Sequence, residues 1–342
     1  MNRKKMLPLV LLAAGAVLLG VLLAVLTCEN EAEEDTGIQL VDFAAEDVDE
    51  LAYSGNNVDV TLLKGSTGDW MLDSDPALPL DQEKVTSLVE QYAALAALRK
   101  LEGSDLAELP EKSAAPQMTI TIGAGDKTLA LTVDQLNAVA DVYYVYDESG
   151  AAYTVMRSDL ATLSKSPRDL YKAQTLTDKT LSDVAAMQVN DLQFTQTDGS
   201  WTLTDDPDYP VSQSSIKKMA STILQMQTAW TVTAPEADTA YGLDSPDVTA
   251  VLTFTDGTSL TVRFGNAVAA AADGSDGDSL CYLASDAAPT VVYEVNADSK
   301  LAYAVTKESL YEETATAETA ASDPVAQYPV GGEDDYADSL PE

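Results

Sequence analysis

Asp273, Asp276 and Asp278 stand in the stretch DGSDGDS, residues 273 to 279, where flexible glycines would let three carboxylates converge on one hard cation such as calcium. The spacing and closing glutamate of an EF-hand are missing, so a solvated loop is the simpler reading and no metal site is expected. Asp35, Thr36 and Gly37 spell the aspartic-protease triplet without the apolar residues that precede it there. Ser214 lies three residues before Lys217, the spacing of nucleophile and lysine in penicillin-binding proteins, yet no Lys-Thr-Gly accompanies it. The stretch falls where a helix should begin, and capping explains it. The chain has no histidine, which removes Ser-His-Asp and Cys-His catalysis and histidine zinc sites. Two carboxylates would suffice for a glycosidase, but no pair stands out among 56 acidic residues. With no Walker loop or dinucleotide fingerprint either, neither a catalytic residue nor a cofactor is expected, and the sequence does not identify ligand-binding residues. The chain reads as a binding protein, not an enzyme.

The elements that would position any site come in two sets. GDWMLDSDPALPLDQEKV, from residue 68, returns in degenerate form as GSWTLTDDPDYPVSQSSI, from residue 199. One offset carries Trp70 onto Trp201, Asp75 and Pro76 onto Asp206 and Pro207, Pro79 onto Pro210, Asp81 onto Ser212 and Val85 onto Ile216. Asp81 and Ser212 are helix N-caps, and an apolar stripe follows each: Val85, Leu88, Val89, Tyr92 and Leu95, then Ile216, Met219, Ala220, Ile223 and Met226. The tryptophans read as core, and the SDP and DDP triplets as turns. Downstream, residues 118 to 133 and 250 to 264 each alternate as two strands around a turn, with a register open by one residue. A longer offset carries Tyr153 onto Tyr293 and Tyr171 onto Tyr311, which places an insertion in NAVAAAADGSDGDS. Each set should close with a short helix, around SDLATL or ADSKLAYAV. The expected fold is α+β: two diverged tandem repeats of a strand-rich unit, residues 38 to 172 and 173 to 312, each with one amphipathic helix.

In front of the repeats, Arg3, Lys4 and Lys5 precede an uncharged apolar run over residues 6 to 27. That length spans a bilayer and exceeds the apolar core of a cleaved signal peptide, so it reads as a single transmembrane signal anchor. The basic stub, residues 1 to 5, stays cytoplasmic by the positive-inside rule, and the body lies outside the bacterial cell membrane. Cys28 follows Thr27, a poor fit to a lipoprotein signal, and Cys281 sits far away in a strand-like stretch, so no disulfide scaffold is expected. Residues 28 to 37 form an acidic spacer, and residues 313 to 342 an acidic tail that reads as disordered. The net charge of −37 excludes nucleic acid as a partner.

Residues 240 to 266, AYGLDSPDVTAVLTFTDGTSLTVRFGN, resemble the recurring segment of the bacterial family Domain of Unknown Function 4340. There a Tyr-Gly-Leu and a proline precede a strand, an Asp-Gly turn, a second strand and a glycine. Here these are Tyr241, Gly242, Leu243, Pro246, Asp256, Gly257 and Gly265. LCYLASDAAPTVVYEVNADS continues the resemblance, and SPRDLYKAQTLTDKTLSDVAAMQV is similar to the phrase between repeats, whereas the first copy lacks the Tyr-Gly-Leu. The resemblance implies a single-anchor envelope protein, an accessory partner of an ABC-type transporter or gliding-like system, with no family active site. The expected function is thus non-catalytic binding within an envelope complex. The alternatives are a carboxylate-dependent glycan hydrolase and a small-ligand module in the cleft between repeats.

Overall fold

The computed structural model describes residues 37–55, 57–269 and 279–312. The expected anchor over residues 6 to 27, the spacer up to residue 36 with Cys28, the tail, and Asp273, Asp276 and Asp278 lie outside them. Among the described residues no helix is long and apolar enough to cross a membrane.

The first sheet contains β1 (Glu50–Gly55), β2 (Val58–Lys64), β3 (Trp70–Leu72), β4 (Arg99–Leu101), β5 (Met118–Ala124), β6 (Lys127–Asn137), β7 (Val142–Asp147) and β8 (Ala152–Met156). The second contains β9 (Val184–Val189), β10 (Leu192–Thr197), β11 (Ser200–Leu203), β12 (Thr228–Val232), β13 (Val248–Phe254), β14 (Ser259–Ala267), β15 (Leu280–Ser285) and β16 (Val292–Asn296). The spatial order is β3-β2-β1-β5-β6-β7-β8-β4 in one and β11-β10-β9-β13-β14-β15-β16-β12 in the other. The two units therefore repeat one topology, and neighbouring strands pair antiparallel.

Alternation in sequence becomes alternation in burial. In β13 Val248, Ala250, Leu252 and Phe254 are buried while Thr249, Val251 and Thr253 are only partly covered, because successive strand side chains point to opposite faces. The open register resolves as Ile120 opposite Leu131 in one hairpin and Leu252 opposite Leu260 in the other.

In each unit the third strand lies on one edge of the sheet and the fourth on the opposite edge, so the segment between them must cross a face. A helix makes that crossing: α1 (Gln82–Ala93) in the first unit and α2 (Gln213–Leu224) in the second. Asp81 accepts from the Lys84 backbone N–H and Ser212 from that of Ser215, as the caps require. Both apolar stripes, Leu95 and Met226 included, are buried in the core of their own unit.

A contact not anticipated from the caps joins each helix to the sheet edge. Gln82 Oε1 accepts from Trp70 N–H at 2.7 Å while its Nε2 donates to Trp70 C=O at 3.0 Å. Gln213 repeats both bonds to Trp201 at 2.7 Å each. A carboxamide carries one acceptor and one donor group side by side, so it replaces the missing neighbour strand and blunts an edge that would otherwise recruit another chain.

The closing segments are short helices at the expected places, of two different kinds. Residues Arg157–Ser164 form a 3-10 helix whose buried Leu160 and Leu163 are three apart, the repeat that a three-residue turn places on one side. The closing helix of the second unit, Asp298–Leu301, is α-helical. Chain closure is the same in both: Tyr171 bridges Leu80, and Tyr311 bridges Val211.

Replacing Gln82 or Gln213 with alanine removes both bonds to a part-buried tryptophan backbone and should cost about 1–3 kcal/mol each. Urea denaturation would show the midpoint falling, and Gln82→Glu should not restore it, because a carboxylate cannot donate to Trp70 C=O.

Candidate functional site

A cleft of about 410 Å³ opens in the first unit between α1 and the 3-10 helix with the turn that follows. Leu88 and Leu170, both buried, form its floor. The polar wall is fixed by a short chain of bonds. Thr162 Oγ1 donates its one proton to Gln91 Oε1 at 3.1 Å, so it accepts from the Tyr92 hydroxyl at 2.6 Å. Gln91 Nε2 donates to Asp159 C=O at 3.1 Å. Burial pushes the Tyr92 phenol up, so it stays neutral and acts as a donor.

The rim carries Lys84 and Lys165 with Glu83 and Asp169. Lys84 Nζ donates to Asp169 C=O at 3.1 Å. Burial raises the Asp169 pKa, but hydrogen bonds from the Ser166 hydroxyl and backbone N–H, with Lys165 and Lys84 nearby, outweigh that and hold it below 3.8. A carboxyl held down in this way accepts hydrogen bonds and does not serve as a general acid at neutral pH. The cleft thus combines an apolar floor, fixed amide and hydroxyl groups, and charges of both signs, which suits binding of a small polar or zwitterionic ligand.

Between the units several side chains meet. Arg168 donates from Nη1 and Nη2 to the two oxygens of Glu294 at 2.8 and 3.1 Å, and its guanidinium lies 4.7 Å over the Trp230 ring. The Glu294 carboxylate is 5% exposed whereas Arg168 is half exposed. The Tyr171 hydroxyl bonds Thr228 Oγ1 at 2.6 Å and Thr231 Oγ1 at 2.7 Å. Thr233 donates to Asp75 at 2.7 Å, so the first SDP turn faces the second unit, while its counterpart Asp206 pairs with Lys307. The connecting backbone joins in, since Thr175 bridges Gln227 and Thr228 N–H donates to Gln174 C=O.

The residues marked from sequence are spread over the second unit. Tyr241 ends a helical turn, Asp238–Tyr241, capped by Gly242 at φ +68°, and a Cβ there would strike the Asn266 side chain. Gly265 lies against the Tyr241 carbonyl, where no Cβ fits. Leu243 is buried with Ala284 and Val292, and Pro246 leads into β13. Asp256 accepts from Thr258 N–H and hydroxyl in the turn where Gly257 sits at φ +84°, and it pairs with Lys179 of the preceding connection. All seven shape a turn and a hairpin. Ser214 bonds Ser212 at the start of α2, with Lys217 exposed on the helix, and Cys281 is a buried thiol pushed up by burial. None of these residues reaches the cleft. Gln91, Thr162 and Asp169 were missed because their signal is a fold contact across tens of residues, not a local spacing.

Residues 70–200 match the family described as Domain of unknown function (DUF4340). The match covers most of the first unit and the start of the second, including the cleft, and ends before the Tyr241–Gly265 positions that carry the resemblance in sequence. No curated protein and no solved structure matches the chain.

Arg168→Ala would leave the Glu294 carboxylate buried without its partner. Discounted for the exposed arginine, the cost should be about 1–3 kcal/mol, and calorimetry should show one unfolding transition splitting into two. Arg168→Lys should recover only part of it, since an ammonium cannot make two parallel bonds. Asp169 has a folded pKa below its unfolded value, so its stabilisation is complete above about pH 3.8 and is lost as pH falls through the folded value. Stability measured against pH should flatten over that acid range in Asp169→Asn.

Proposed function

We propose that this chain, whose residues 70–200 carry the domain of unknown function DUF4340, is a membrane-anchored extracytoplasmic binding protein that acts without catalysis as an accessory part of an envelope complex. The observation that carries this reading is the apolar run at residues 6 to 27 behind Arg3, Lys4 and Lys5, followed by a strand-rich body in two units. One anchor keeps both units near membrane partners and raises their effective concentration there.

The cleft between α1 and the 3-10 helix supports a second reading, capture of a small polar ligand in the first unit. It places the ligand within the first unit, whereas the alternative drawn from sequence places it between the units, near Arg168, Trp230 and Tyr171.

Crosslinking in intact cells, followed by detergent extraction and mass spectrometry, tests the main reading. Recovery of transporter or other envelope subunits is the expected result, and the chain alone would count against it. Alkaline carbonate should leave the full chain in the membrane pellet, and deletion of residues 6 to 27 should release it. Lys84→Glu with Lys165→Glu should leave the partner set unchanged if the cleft serves a small ligand.

A further inference from the structure

Among the described residues seven large hydrophobic side chains are exposed, and four of them, Ile38, Leu98, Val139 and Met156, gather at one end of the first sheet. Register puts them there. Met156 pairs opposite Val142 at the end of β8, and Val142 follows the loop between β6 and β7 that carries Val139. Leu98 lines one shallow pocket with Ala140 and Val142, and Ile38 pairs opposite Ala97, the residue before Leu98. Val139 is 99% exposed at the loop tip. The tip is a built feature: Asn137 Oδ1 accepts from both Val139 and Ala140 N–H at 3.1 Å, and Asp141 turns the chain at φ +55°.

We propose that this end of the first unit rests on the bilayer, with the Val139 loop in the interfacial region, so that the body is oriented as well as tethered. The proposal depends on the anchor reading above. Ile38 begins the ordered pairing directly after the spacer, so the chain enters the body at its apolar end. Ten residues, 28 to 37, reach at most about 36 Å when fully extended, close to the ~38 Å that eight strands occupy side by side. A tether this short keeps that end within reach of the membrane.

Among the described residues of the second unit, three of the four positions are not large and apolar: those that match Leu98, Met156 and Ile38 are Ala229, Asn296 and Gln174. At these positions the apolar character belongs to the tethered unit and not to the shared topology. Charge permits the approach: Arg99 pairs with Asp105 at 2.9 Å and Arg157 with Asp141 at 3.8 Å, so basic groups offset acids here in a chain of net −37. Four apolar side chains around a projecting loop match the headgroup and acyl boundary better than open water.

The test uses the full chain with Cys28→Ser, reconstituted in vesicles of phosphatidylcholine and phosphatidylglycerol, and a nitroxide at Val139→Cys or, as control, at Thr197→Cys on the second unit. Both sites are exposed, so labelling should not disturb folding. Carbonate resistance first confirms that the chain is anchored. The expected result is a several-fold higher ratio of oxygen to nickel-chelate accessibility at position 139 than at 197, with a label at Leu98→Cys losing that preference when Val139→Glu is added. Equal nickel accessibility at both sites in a carbonate-resistant chain overturns the docking and leaves the anchor standing. Spectral broadening at 139 that disappears on dilution with unlabelled chain would assign the patch to a second copy and overturn it too. Loss of the chain from the membrane would sink the anchor reading, and the docking with it.

Discussion

Both units depend on a helix held across a sheet whose third and fourth strands lie on opposite edges. The apolar stripe of that helix is buried in the core of its unit, but it does not by itself determine where the helix begins. The glutamine beside each cap does: Gln82 and Gln213 bind both backbone groups of a tryptophan in the edge strand, locking helix start, turn and edge into one piece. Everything downstream follows from that placement, including the return of the chain to the far edge and the closing bridges at Tyr171 and Tyr311. The same lock sets the rim of the cleft, because Glu83 and Lys84 belong to the first turn of α1.

The local half of this architecture was legible. Caps, apolar stripes, strand alternation and the paired offsets are short-range patterns, and each appears where sequence put it, from Asp81 and Ser212 to the two buried tryptophans. Gln82 and Gln213 recur at the same offset as the tryptophans, so their signal was present, but a glutamine in a first helical turn looks ordinary until its partner is known. The joint was not legible. Arg168 and Glu294 meet across 126 residues, and nothing near either one marks it as half of a pair. Fold contacts also hid the cleft, whose walls come from segments that sequence treats as a helix surface and a connector.

The motif that carried the resemblance shows what such patterns encode. Tyr241, Gly242 and Gly265 form one close approach of backbone to backbone, and Asp256 and Gly257 shape a hairpin turn tied to Lys179. These positions restrict geometry, not chemistry. A chain can keep the topology without them, as the first unit does with no Tyr-Gly-Leu. Side chains free of such duties, at the cleft and at the Val139 loop, are where the units differ and where specificity can reside.

Tyr171 belongs to both units at once. Its backbone closes the first by bridging Leu80, its hydroxyl sits between Thr228 and Thr231 of the second, and its ring lies 5.3 Å from Trp230. A gene cut on either side of this codon would leave one product with an unfilled socket and the other with a loose plug. The halves of this molecule, similar as they are, share one side chain, and any dissection must duplicate Tyr171 in both fragments instead of dividing the chain between them.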